Sequence, residues 1–106
     1  MTGNIVWLQR WYLSQCNQDW EHQYGVQIGT IDNPGWTLSI DLQGTELETP
    51  PFTAQKIERT EEDWVHCWVA DGKFQAACGP ENLEEALGAF RKWATENGST
   101  RRLLPG

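Results

Sequence analysis

A chain of 106 residues with seven tryptophans can close one hydrophobic core without crosslinks, since each buried aromatic ring removes about 150–250 Å² from water. Fifteen acidic against eight basic residues give a net charge of −7, which argues against direct nucleic-acid binding, because phosphates demand lysines and arginines. Three cysteines without regular spacing do not describe a secreted disulfide framework, and no apolar run approaches the roughly 20 residues of a membrane span, so a soluble, cytoplasmic protein without a membrane partner is expected.

Over residues 4–16, Ile5, Leu8, Tyr12 and Cys16 recur at three- and four-residue steps, with Trp7 and Trp11 on a neighbouring stripe. This predicts an amphipathic helix. Residues 16–25 form the joint at which helical period gives way to alternation, and they gather a thiol, two carboxylates, an indole, an imidazole and a phenol. Tyr24, Val26 and Ile28 alternate with Gly25, Gln27 and Gly29 in a first strand, and Trp36, Leu38, Ile40 and Leu42 alternate with polar residues in a second. Between them Asn33-Pro34-Gly35-Trp36 reads as a type II turn, with glycine taking the positive φ at the third position.

Residues 43–51 read as an acidic, proline-closed loop, 52–59 as a third strand, 60–63 as a turn and 64–69 as a fourth strand. Asp71-Gly72 is a two-residue hairpin signal leading into a fifth strand over 73–78. Gly79-Pro80 breaks that strand, and Asn82 with Glu85 resembles a capping box at the start of a helix. Leu83, Ala86, Leu87, Phe90 and Trp93 share one face of it, Glu84 and Glu85 at the start and Arg91 and Lys92 near the end suit its dipole, and Asn97-Gly98 stops it. The prediction is an α+β fold: an N-terminal helix, a five-stranded antiparallel sheet in sequential meander order and a C-terminal helix, with both helices on one face of the sheet. One domain spans 1–98, and 99–106 form a flexible tail.

Three constellations could carry chemistry. Cys16 with Asp19 and His22 is the only local set that could supply a nucleophile and its base, or a metal site, which defines a small Cys/His-dependent enzyme or metal-binding domain as the alternative reading. Against it, Cys16 lies on the apolar stripe of its helix, no known nucleophile or zinc motif surrounds it, and Trp20 and Tyr24 suit the joint to packing. His66 and Cys67 are adjacent in a strand and point to opposite faces, so they cannot readily share an ion.

The third constellation is acidic. Residues 41–63 carry seven acids and two bases, a local balance of −5. It runs into a strand with Val65, Cys67 and Val69 on one side and Trp64, His66 and Trp68 on the other. With the aliphatic set inward, two indoles and an imidazole stand on an open face beside the acidic turn, the composition of a protein–protein hot spot. With the indoles inward they are core, and the acids are a solvated surface.

Trp7-Leu8 with Trp11-Tyr12, Ser14-Gln15-Cys16, Asp19-Trp20-Glu21-His22, Tyr24-Gly25, Asp32-Asn33-Pro34-Gly35-Trp36, Asp63-Trp64 with His66-Cys67, Asp71-Gly72-Lys73-Phe74 and Gly79-Pro80 with Asn82-Leu83 resemble the immunity protein 53 family of bacterial polymorphic toxin systems. The resemblance runs to about Trp93 and implies a small cytosolic protein that binds and neutralises a cognate toxin, with no enzymatic activity and no cofactor. It transfers no mapped binding surface. From the residues themselves, the expected toxin-binding set is an acidic rim of Glu46, Glu48, Glu61, Glu62 and Asp63 with the anchors Trp64, His66 and Trp68, meeting a basic toxin, for which a nuclease is the working guess. An adaptor subunit of a larger assembly is a third reading, distinguished by whether the neighbouring gene encodes a toxin.

Overall fold

Alternating apolar residues and two tight turns generate most of the sheet, and tryptophans bind the helices and loops to it. The computed structural model describes residues 3–99, Ser99 by its backbone alone. The expected tail therefore lies, from residue 100 onward, outside the described residues. In order, the elements are α1 (Asn4–Gln15), α2 (Trp20–Gln23), β1 (Val26–Ile31), β2 (Gly35–Asp41), β3 (Gln55–Glu58), β4 (Trp64–Ala70), β5 (Lys73–Cys78) and α3 (Leu83–Ala94). The predicted α+β class is thus observed, with one five-stranded antiparallel sheet.

Its strand order, β1-β2-β5-β4-β3, is not the sequential meander. After β2 the chain crosses to the far edge through residues 42–54 before returning as the β3-β4-β5 run. Composition explains the exchange. β3 is polar and mostly exposed, as an edge strand can be, whereas Phe74, Ala76 and Cys78 of β5 are all buried and require neighbours on both sides. The crossing loop is itself anchored in the core by Leu42 and Leu47, and the Thr45 hydroxyl donates to the Leu42 carbonyl at 2.7 Å while accepting the Leu47 N–H at 3.0 Å. Phe52, expected at the head of a strand, instead packs between Phe74 and Trp93, with ring centroids 5.2 and 5.3 Å away.

Asp71 and Gly72 take consecutive positive φ values of 56° and 72° and close the β4–β5 hairpin as the sequence predicts. The β1–β2 turn differs from its prediction. The Asn33–Pro34 peptide is cis, Gly35 already pairs with Ile31 inside the ladder, and its φ is not positive. Glycine is needed there for space, since a Cβ would run into the Cys78 carbonyl oxygen.

On α3 the buried residues Ala86, Leu87, Phe90, Trp93 and Ala94 reproduce the predicted face. On α1 the buried set is Leu8, Trp11 and Gln15, while Ile5 and Tyr12 of the predicted stripe are exposed. The indole is the larger surface to bury, so the helix turns its tryptophans inward. Trp7 and Trp11 meet Phe90 edge-on at 5.9 and 5.1 Å, and Phe90 meets Phe74 of β5 at 5.1 Å, so one aromatic chain links α1, α3 and the sheet.

Four indole N–H groups then fasten loops: Trp11 to Glu46 Oε2 (3.2 Å), Trp20 to the Gln43 carbonyl (2.8 Å), Trp36 to the Pro80 carbonyl (3.0 Å) and Trp93 to the Pro51 carbonyl (3.0 Å). Trp11, Trp20 and Trp93 are buried and Trp36 is partly buried against the core, and each satisfies its one donor. The chain leaves α3 through Thr95–Ser99, where Gly98 takes φ 126° and Asn97 Nδ2 donates to the Trp93 carbonyl at 2.8 Å.

Candidate interaction face

Strand alternation on β4 decides which side chains are available. Val65 and Cys67 are 1% exposed and belong to the core, which turns Trp64, His66 and Trp68 to the other side of the sheet. There Trp68 stands opposite Gln75, and His66 stands opposite Ala77 and Lys56. Ala77 is followed across the sheet by Thr37 and Gly29, so small residues floor the face beside the aromatic row. Unlike the four indoles that hold loops, Trp64 and Trp68 have, like Trp7, no hydrogen-bond partner for the indole N–H among the described residues. Trp68 keeps 37% of its surface exposed.

At the Trp64 end the face deepens into a cleft of about 560 Å³ lined by Asn33, Glu58, Arg59, Thr60, Glu61, Trp64 and His66. The Trp64 and His66 rings are 5.1 Å apart and tilted by 59°, and His66 Nε2 lies 3.0 Å from Glu58 Oε2. Glu58 faces Trp64 directly in the β3–β4 ladder.

Arg59 is the hub of the turn that closes this end. Its guanidinium donates to Asp63 at 3.0 and 2.9 Å and to Glu85 at 2.6 Å, while Asn82 Nδ2 donates to Asp63 at 2.9 Å and to Glu85 at 3.1 Å. The Arg59 hydrogen bonds, with those from Asn82, hold the carboxyls of Asp63 and Glu85 below the usual carboxylate range. Asn82 Oδ1 also accepts the Trp64 backbone N–H at 3.4 Å, and its side chain makes no capping bond to α3. The expected capping box is therefore replaced by a clamp between the β4 start and the α3 start. A neighbouring cleft of about 410 Å³, lined by Thr60, Glu62, Asp63, Glu81 and Asn82, continues the acidic surface.

The predicted set is only partly brought together. Glu61, Glu62, Asp63 and Trp64 adjoin at one end of the sheet, with His66 and Trp68 following along β4. Glu46 and Glu48 lie at the opposite end, in the loop after β2, where Leu42 N–H donates to the Gly72 carbonyl. The six steps between the first and last residues of β4, at ~3.3 Å each, put the two ends about 20 Å apart. Glu46 is moreover bound to Trp11 and to Gln15 Nε2 (3.3 and 3.2 Å), an internal tie between loop and helix. Asp63 is held by Arg59 and Asn82. Sequence reasoning missed Glu58, Arg59, Glu81 and Asn33. The predicted 60–63 turn would set Glu58 opposite Val65; in the structure Arg59 pairs with Asp63, so the turn is one residue shorter and Glu58 falls opposite Trp64 on the aromatic side.

The Cys16–Gly25 joint is built as a helix-to-sheet connector. Glu21 accepts the N–H groups of Asn17 (2.9 Å) and Gln18 (2.7 Å), and its carboxyl is held low by hydrogen bonds from its own N–H and from those two. Asn17 Oδ1 accepts the N–H groups of Asp19 (3.0 Å) and Trp20 (2.8 Å), starting α2, and Trp20 is buried between Trp11 and Tyr24. Cys16 donates to the Tyr12 carbonyl at 3.3 Å and the Asp19 carboxylate accepts from Gln23 at 3.1 Å; the His22 backbone N–H meets the Asp19 carbonyl at 3.0 Å, but among the described residues no side-chain hydrogen bond joins Cys16, Asp19 and His22. The other two thiols are buried, and burial pushes Cys67 up to about 12 and Cys78 upward as well, which makes both poor nucleophiles.

The chain is thus an acidic α+β domain with two tryptophans on one side of its sheet beside a glutamate-rich turn. Residues 5–95 match the family described as Immunity protein 53, and the chain belongs to that family. Nothing among curated proteins and nothing among solved structures matches it. Among the described residues no helix is long and apolar enough to cross a membrane.

Proposed function

We propose that this immunity protein binds a cognate toxin protein through the aromatic face of β4 and the acidic end of the sheet, and thereby neutralises it in the cytoplasm of the producing bacterium. The reading involves no catalysis and no cofactor. Its main support is the division among the tryptophans: four use their N–H to hold the fold together and Trp7 packs against Phe90 and the Arg91 guanidinium, whereas Trp64 and Trp68 stand on the other side of the sheet, partly exposed and with no hydrogen bond to the indole N–H among the described residues. Such half-exposed indoles surrounded by charge are typical anchors of protein interfaces.

Charge supports the kind of toxin. Glu58, Glu61, Glu62 and Glu81 line the clefts, and the Arg59 cation among them is already matched by Asp63 and Glu85. A basic toxin is steered toward this end of the molecule, and a nuclease, whose substrate requires a cationic surface, is the toxin class proposed. Binding there blocks the nucleic-acid site or a surface next to it.

The test is co-expression with the cognate toxin in a sensitive host. Growth is restored by the unaltered chain and lost with Trp64→Ala/Trp68→Ala at equal expression; equal protection by the double variant removes this face from the interaction.

A further inference from the structure

We infer that the cleft at the Trp64 end of the sheet is a socket for one cationic side chain of the partner, an arginine in the first instance. Its walls are of two kinds. Glu58 and Glu61 supply carboxylates on the turn side, and the Trp64 ring supplies an aromatic wall. Glu61 has no hydrogen-bond or ion-pair partner among the described residues, and Glu58 is held only by His66 while its side chain stays 57% exposed. Both charges are therefore available to a ligand.

The occupant follows by exclusion. An anion is disfavoured because Arg59, the one cation in the lining, already has Asp63 at 2.9 Å and Glu85 at 2.6 Å as counter-charges. A purely apolar side chain would desolvate Glu58 and Glu61 without return. A guanidinium meets the acidic and aromatic walls: its N–H fork suits the carboxylates, its plane can lie against an indole, and Asn33 offers a further acceptor, while the lining Arg59 is already matched by its own counter-charges. The volume of about 560 Å³ admits a long side chain and its backbone without rearrangement of the sheet.

This inference takes its partner from the function proposed above, but its test needs no toxin. The ¹⁵N-labelled chain is titrated with acetyl-arginine amide and, in parallel, with the neutral isostere acetyl-citrulline amide, following the indole and amide signals by NMR. Arginine should give saturable shifts at the Trp64 indole, Asn33 and residues 58–61, and citrulline none. Glu58→Gln/Glu61→Gln, which keeps a hydrogen-bond acceptor for His66, should weaken the arginine probe about five- to tenfold, the loss of two exposed charge contacts. Equal shifts with both probes, shifts centred elsewhere, or none at all overturn the socket. A toxin that fails to associate refutes the larger reading without touching the probe result; a toxin bound equally well by the double variant refutes the socket and leaves that reading in place.

Discussion

Replacing Trp68 by alanine separates anchoring from folding more cleanly than any other change on the face. Its ring has no hydrogen bond to lose, and the core residues beneath it, Val65 and Cys67, point the other way. With 37% of a tryptophan's roughly 250 Å² still exposed, about 90 Å² remains for a partner to cover, ~2 kcal/mol at 25 cal/mol/Å². At about 1.4 kcal/mol per factor of ten, Trp68→Ala should weaken the toxin complex roughly 30-fold. The loss should fall mainly in the dissociation rate, as for most changes in a single interface. The assay is surface-immobilised binding of purified cognate toxin, with a urea unfolding curve on the same preparation to fix the folded fraction. A Kd within about threefold of the unaltered chain, from fully folded protein, would refute the anchoring argument, because the exposed area alone demands more.

Three further outcomes follow from other parts of the structure. Charge reversal by Glu61→Lys/Glu62→Lys should slow association several-fold at low salt, with the difference shrinking as salt rises toward the screening length of about 8 Å at 0.15 M; association rates independent of both changes would remove steering from the account. Phe90→Ala, at the meeting point of Trp7, Trp11, Phe74 and Trp93, should cost about 3–5 kcal/mol in urea unfolding, and a cost below about 1.5 would mean that the aromatic chain is not the core. The Arg59 hub makes a pH prediction: Asp63 and Glu85 have folded pKa values below their unfolded ones, so the unfolded state binds more protons and their contribution is present above about pH 5 and disappears as pH falls through the folded values. The gap in melting temperature between the unaltered chain and Arg59→Gln should therefore narrow progressively as the pH falls below about 5; parallel curves would contradict it.

What the sequence makes legible follows the range of each signal. The α3 face and the Asp71-Gly72 hairpin depend on neighbours a few residues apart, and both are observed. Strand order depends on β2 meeting β5 rather than β3, a pairing between residues far apart in the chain, and the short-connection rule favours the wrong neighbour. The stripe on α1 is misread because Ile5, Tyr12 and the tryptophans offer competing apolar faces, and only the position of Phe90 selects between them.

The site divides along the same line. Alternation within β4 makes Trp64, His66 and Trp68 readable as one row, once the valine and cysteine are taken as the inner set. Grouping Glu46 and Glu48 with Glu61 treats proximity in sequence as proximity in space, and the crossing loop separates them by the length of the sheet. Glu58 goes unnoticed because its importance lies in the cross-strand partner, Trp64, rather than in its own neighbours. Asn82 and Arg59 act through tertiary contacts that no local pattern encodes.

Direct association is the measurement that bears most on the central claim. Purified chain and purified cognate toxin, mixed at low salt and followed by calorimetry, should form a stoichiometric complex in which toxin activity is abolished. The same pair with Trp64→Ala/Trp68→Ala should show weakened binding and restored toxicity. A toxin that remains fully active and unbound in the presence of excess folded chain would contradict the account.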